Sequence, residues 1–162
     1  MYIRLFVILI LISACNESDL LELPSQFSIS TNVQGQTTAG LKGIDSDNNG
    51  IRDDIDQLIK QKFSDTQAIK RAAEQEARAL QQFMEVDTKE EALIATEQIA
   101  RATSCIFKIL SDPIHDYEVR QALSTEIEAW TTNIKERLVK YLKSSKLISG
   151  AYFMQPIEPV CD

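Results

Sequence analysis

Between Gly43 and Asp56 the sequence reads GIDSDNNGIRDDID, which sets five aspartates and two asparagines around Gly50. Oxygen-bearing side chains alternate at Asp45, Asp47 and Asn49, the glycine follows, and Asp53 and Asp56 come after it. That spacing suits a hard divalent cation. Calcium takes about six to eight oxygen ligands at roughly 2.4 Å, so several carboxylates must bend around one point. Gly50 supplies the sharp bend, where a side chain would be strained. A second reading needs no ion, because Asp and Asn favour turns and acids near a helix N-terminus interact well with its dipole. It accounts for Asp53, Asp54 and Asp56 and leaves the alternation at 45, 47 and 49 unexplained.

Counted from Asp45, the stretch resembles the twelve-residue calcium loop of EF-hands. Asp45, Asp47, Asn49, the carbonyl of Ile51, Asp53 and Asp56 stand at positions one, three, five, seven, nine and twelve, with Gly50 at six. Position twelve is Asp rather than the longer Glu, and no helix pattern precedes Asp45. In both respects the stretch is similar to the calcium loops of dockerins and thrombospondin type III repeats. Those modules use loops in tandem, whereas a single loop is found here. The resemblance therefore implies one structural calcium ion, held at about 10⁻⁵ to 10⁻³ M, that joins the preceding segment to the first helix.

The elements that must position this loop read as helices. With 162 residues the chain has room for one domain with a core, and its 7% aromatic content and five glycines disfavour a β-sandwich. Seventeen basic residues against 24 acidic give a net charge of −7, which repels phosphate backbones and excludes nucleic acid as a partner. From Ile51 the apolar period is helical. Ile51, Ile55, Leu58, Ile59 and Phe63 form one stripe, and Ile69, Ala73, Ala77, Leu80 and Met84 a second. Ala92, Thr96, Ile99, Thr103, Ile106 and Leu110 form a third, and Leu123, Ile127, Trp130, Ile134, Leu138 and Tyr141 a fourth. Ser64 with Gln67, and Thr88 with Glu91, read as capping boxes. The third helix stops near Pro113, and the fourth runs from about Asp116 to Lys143. The expectation is an all-α, up-and-down helical bundle with one short and three long helices, in which Trp130 is core.

The N-terminus, MYIRLFVILILISAC, carries Arg4 and then an apolar run from Leu5 to Ile12. A helix of that length spans about 12 Å against a hydrocarbon core of roughly 30 Å, so the run suits a signal peptide and not a membrane span. Ile12-Ser13-Ala14-Cys15 resembles the bacterial lipobox. The resemblance implies a signal peptide over residues 1–14, acylation of Cys15, and a chain anchored to the membrane through its N-terminal lipid. Asn16 in place of Asp favours the periplasmic face of the outer membrane if the host has two membranes. Residues 15–43, with Pro24, Gly35 and Gly40, read as a lipid-anchored flexible linker, and 44–162 as the calcium loop plus bundle.

With Cys15 acylated, Cys105 and Cys161 remain in an oxidising compartment, where a disulfide is expected. Cys105 lies near the end of the third helix, and the fourth carries the chain roughly 40 Å away from it. About 17 residues must then return some 33 Å, too far for a continuous helix and within reach of an extended chain. The tail SGAYFMQPIEPVCD should therefore run partly extended along the bundle, with Tyr152, Phe153 and Ile157 available to pack.

Catalytic signals are weak. His115, in DPIHDYE between Asp112 and Asp116, could form an acid–base pair but reads better as a loop or capping histidine. No GxSxG, phosphate-cradling glycine loop, HExxH or CxxC occurs. The sequence points to a non-enzymatic envelope lipoprotein that binds one calcium ion and presents a helical surface to an unidentified envelope protein. The alternative is an immunity- or inhibitor-type lipoprotein that blocks a toxic or lytic enzyme. An envelope hydrolase ranks third.

Overall fold

Three acids, Asp53, Asp54 and Asp56, occupy the first turn of α1 (Asp53–Lys62), and Lys60 and Lys62 its last, so both ends suit the helix dipole. The computed structural model describes residues 40–111 and 117–162. The signal peptide, Cys15 and the linker up to residue 39 lie outside the described residues, as do Asp112, His115 and Asp116. Four more helices follow: α2 (Gln67–Glu85), α3 (Lys89–Ile109), α4 (Tyr117–Thr131) and α5 (Lys135–Leu147). Among the described residues the chain is an all-helical bundle, as its periodicity predicts.

Central to the bundle is α2, which packs against each of the other four helices and most extensively against α3. Its sequence explains this. Ala72, Ala73, Ala77 and Ala79 are all buried, and their short side chains let neighbouring helices come close, while Leu80, Phe83 and Met84 supply volume. The main core gathers Ile51, Ile55 and Ile59 from the α1 region, Cys105 and Ile106 from α3, and Leu123 and Ile127 from α4 around Ala72, Ala73 and Ala77. A smaller cluster of Phe83, Val86, Ala92 and Ala95 is closed by Tyr141, whose ring meets Phe83 edge-on at 5.4 Å.

Thr88 and Glu91 form the expected capping box at the start of α3: the Glu91 N–H donates to Thr88 Oγ1 at 3.2 Å, and the Thr88 N–H donates to Glu91 Oε2 at 3.1 Å. The box expected of Ser64 and Gln67 does not form. Ser64 Oγ donates back to the Lys60 carbonyl at 2.8 Å, and Thr66 caps α2 by accepting from the Ile69 N–H at 3.1 Å. Both residues are hydroxyl caps by type. Ser64 is still engaged with the end of α1, and Thr66 stands at the N-cap directly before Gln67.

The fourth predicted helix is two helices. Thr131 and Thr132 turn their hydroxyls back onto the carbonyls of Ile127 and Glu128, at 2.7 and 2.9 Å. The Trp130 and Thr131 carbonyls, which a continuous helix would offer to the N–H groups four residues on, instead accept from the Arg52 guanidinium at 3.0 and 3.1 Å. After the break the helix presents a different face. Arg137 and Ser144 turn inward, while Leu138, expected in the core, is 45% exposed. Trp130, near the end of α4 and also expected in the core, is 40% exposed.

Cys105 and Cys161 are joined, with sulfurs 2.05 Å apart and Cα atoms 5.0 Å apart. From Ala151 to Asp162 the tail has neither helix nor strand. Its inward contact is not the aromatic pair that the sequence suggests. Tyr152 and Ile157 are 101% and 82% exposed, and Phe153 is also exposed, whereas Val160 is buried and its carbonyl accepts from Gln75 Nε2 at 2.8 Å. The bridge fixes Val160 against α2, so the residues before the prolines are left to span the gap outside the core.

The capping assignment has a direct consequence for stability. Thr66→Ala should destabilise the fold by about 1 kcal/mol, and Ser64→Ala by clearly less, in urea unfolding. The reverse order would return the cap to Ser64.

Candidate functional site

The acidic loop is closed by its own hydrogen bonds. The Asp53 N–H donates to the Ile44 carbonyl at 2.8 Å, which brings the two ends of the loop together. Asn48 and Gly50 take positive φ angles, 56° and 82°, conformations that Asn tolerates and Gly adopts freely. A Cβ on Gly50 would stand 3.4 Å from the stem of Arg78, so α2 borders the loop at this bend.

Asn49 is the centre of the loop. Its N–H donates to Asp45 Oδ1 at 3.1 Å and to Asp47 Oδ1 at 3.3 Å. Its Nδ2 donates to Asp47 Oδ2 at 3.2 Å and to Asp56 Oδ2 at 2.8 Å, and its Oδ1 accepts from the Ile51 N–H at 2.7 Å. Asp45 also accepts from the Gly50 N–H at 3.0 Å. Of the expected ligands, then, Asp45, Asp47, Asn49 and Asp56 come together, with Ile51 adjoining. Asp53 does not join them: both of its oxygens are taken by Ser46, from the N–H at 2.8 Å and the hydroxyl at 2.6 Å. Those bonds hold its carboxyl below the usual carboxylate range.

The donor set has the chemistry that calcium requires: hard oxygens, several of them anionic, each with lone pairs to spare. In their present arrangement the carboxylates converge on Asn49 N–H groups and not on a common point. Among the described residues, no three acidic, histidine or cysteine side chains are grouped to hold a metal ion. An ion between Asp47 and Asp56 would meet Asn49 Nδ2, so the carboxamide would have to turn over and present its oxygen. Beside the loop lies a cleft of about 590 Å³, lined by polar groups that include Lys42, Asn48, Arg78, Gln81 and Glu85.

Beneath the loop is a junction that the sequence pattern did not single out. Arg52 is 1% exposed, and Asp54 holds it through two bonds, at 2.7 Å to Nε and 2.8 Å to Nη2. Gly43 packs on its stem, where a Cβ would come within 2.1 Å of Arg52 Cδ. Arg137 is fully buried nearby and donates to Asn133 Oδ1 at 2.8 Å and to the carbonyls of Leu41 and Gly40 at 3.2 and 3.4 Å. Burial and the Arg52 charge lower its pKa, and Asp54 partly offsets them.

A second overlooked group is Glu76 of α2, 2% exposed, which accepts from Ser124 Oγ at 2.6 Å and from Thr103 Oγ1 at 3.3 Å. Burial pushes its pKa up to about 7, with Glu128 adding to the rise and the two hydroxyls opposing it. Tyr141 is pushed up to about 12, first by burial and then by Glu128. The sequence did carry a signal for Glu76, which stands three residues after Ala73 and four before Leu80, on the apolar stripe.

No protein-family model, no curated protein and no solved structure matches the chain. What the residues themselves define is a helical bundle with a self-closed acidic loop at one junction and a buried carboxyl at its centre.

Glu76 gives this arrangement a pH dependence of known sign. Its unfolded value is near 4.5 and its folded value is about 7, so the folded protein holds the extra proton between them. The contribution is fully present below about pH 4.5 and falls as pH rises toward about 7, by roughly 3 kcal/mol. Glu76→Gln should flatten that fall and raise the unfolding midpoint above neutral pH. Equal pH profiles for the two proteins would remove the assignment.

Proposed function

We propose that the chain is a non-enzymatic lipoprotein of the cell envelope, anchored through acylated Cys15, which binds one structural calcium ion and presents its helical bundle to an envelope partner. The observation that carries the reading is the Cys105–Cys161 bridge. It accounts for two of the three cysteines, is of a kind favoured in oxidising compartments, and leaves over Cys15, the one that follows the apolar run of residues 5–12 after Ser13 and Ala14. A lipid on Cys15 gives that residue a role that needs no sulfur partner.

Calcium would be held by Asp45, Asp47, Asn49, Asp56 and the Ile51 carbonyl, with Asp53 joining if it releases Ser46. Its contribution is to neutralise carboxylates that now accept N–H donors of the loop, and to fix the start of α1. The convergence of Asp45, Asp47 and Asp56 on one residue supports this assignment.

The two parts of the reading are tested separately. Cys15→Ser should abolish lipoprotein-type processing and release the protein from membranes; unchanged size and retention would refute the anchor. For residues 16–162, millimolar calcium should raise the thermal midpoint by several degrees relative to chelator, with about 2.7 kcal/mol gained at a hundredfold excess over Kd. Asp45→Ala/Asp47→Ala should cancel the rise, and magnesium should substitute poorly because it resists losing its water shell. A melting curve indifferent to calcium would rule out the site.

A further inference from the structure

The apolar face that α5 turns to solvent has a charge pattern opposite to that of the chain as a whole. Leu138, Val139 and Leu142 are 45%, 41% and 57% exposed, and at helical spacing they share one outward face. Lys135, Lys143 and Lys146 are exposed around them. No ion pair among the described residues engages these three, whereas Lys140 is bound by Asp87 at 2.6 Å. Of the five basic residues in α5, Arg137 is buried and Lys140 is paired, which leaves three exposed lysines against one exposed acid, Glu136, while the remaining chain carries 12 basic against 23 acidic. Cationic and aliphatic groups have thus been gathered on one surface of an acidic protein.

The chain beyond α5 extends the pattern. After Gly150, whose φ is 76°, come Tyr152, Phe153, Met154 and Ile157, all exposed. The disulfide holds the far end of this segment, so its apolar side chains are kept out of the core by a covalent constraint.

We infer that the outward face of α5, with the segment that follows it, docks on the surface of an anionic lipid bilayer. The chemistry fits at each level. Aliphatic side chains standing out from a convex helix enter the acyl boundary without needing a pocket, and lysines beside them keep their stems low and their ammonium groups at the phosphates. Tyrosine and phenylalanine next to such a helix suit the headgroup layer. An acidic polypeptide would satisfy the lysines but would leave three aliphatics and a Tyr-Phe-Met run without an apolar partner. The docking surface deepens the envelope reading, on which it rests only for the source of the bilayer. It is a second contact, made by the folded bundle and separate from any lipid on Cys15.

The test uses residues 16–162, which lack Cys15, so failure of the anchor does not affect it. The oxidised protein is floated with vesicles of phosphatidylcholine containing phosphatidylglycerol, and with phosphatidylcholine alone. Co-flotation with the anionic vesicles that weakens as salt is raised is the expected result. Lys135→Gln/Lys143→Gln/Lys146→Gln should weaken it by about 100-fold, at roughly fivefold per lysine. Leu138→Gln/Leu142→Gln should weaken it at all salt concentrations. Both sets of positions are exposed, and an unchanged circular-dichroism melting curve verifies the fold of each variant. Absence of wild-type flotation with anionic vesicles, or flotation of both variants at the wild-type level, would overturn the inference. Capture by polyglutamate beads without vesicle binding would also overturn it, in favour of an acidic polypeptide.

Discussion

The burial of one guanidinium organises the region where the loop, α1 and α4 meet. Removing an arginine from water costs several kcal/mol unless a counter-charge and enough acceptors are waiting for it. Arg52 finds Asp54 two residues along the chain and the last carbonyls of α4 across the bundle. Each partner is fixed by the need to satisfy it. Asp54 is held in the first turn of α1, α4 must end where its carbonyls can face Arg52, and residue 43 has to be a glycine because the arginine stem fills the space of a Cβ. The cation therefore ties together three features that look independent in the sequence. Arg137 is placed under the same constraint from the other side. Its charge is unfavourable beside Arg52, and the Asp54 carboxylate lies close enough to moderate both.

Much of the bundle was legible in the sequence because apolar periodicity reports burial directly. The stripes on α1, α2 and α3, the Thr88–Glu91 box, the Cys105–Cys161 bridge and a tail that is not helical all follow from spacing, propensity and reach. The last long helix misled for a definite reason. Leu123, Ile127, Trp130, Ile134 and Leu138 keep helical spacing across the break, and the carbonyls freed there are held by an arginine nearly eighty residues earlier in the chain. No local window contains both. Thr66 was hidden behind a nearer hydroxyl of the same type, and Val160 behind larger aromatic neighbours that the bridge holds outside.

In the candidate site, the order of donors and the glycine bend could be read from the residue types. The orientation of Asp53 could not, since it depends on Ser46, a residue that fills no position in the ligand pattern. Glu76 shows the complementary case. Its place on the stripe was visible, but its partners Thr103 and Ser124 come from two other helices, so its altered acidity is a property of the assembled bundle. The two acidic regions are thus built differently. Loop carboxylates are satisfied by N–H groups within a few residues, and the core carboxyl by hydroxyls that only folding delivers.

The bonds from Arg137 to the carbonyls of Gly40 and Leu41 also decide how the domain bears mechanical load. A pull arriving along the chain from before residue 40 acts first on these two bonds, then on Lys42, which Glu85 and Gln81 of α2 hold, and then on Gly43 where it lies against Arg52. Neither apolar cluster takes the strain until that clasp has given way. The clasp is made of a few directional bonds loaded one after another, so it peels at lower force than a helix sheared from its neighbours would. It can open and re-form while α2 and its partners stay packed. The bundle is thereby insulated from tension on the chain before residue 40 by a small joint.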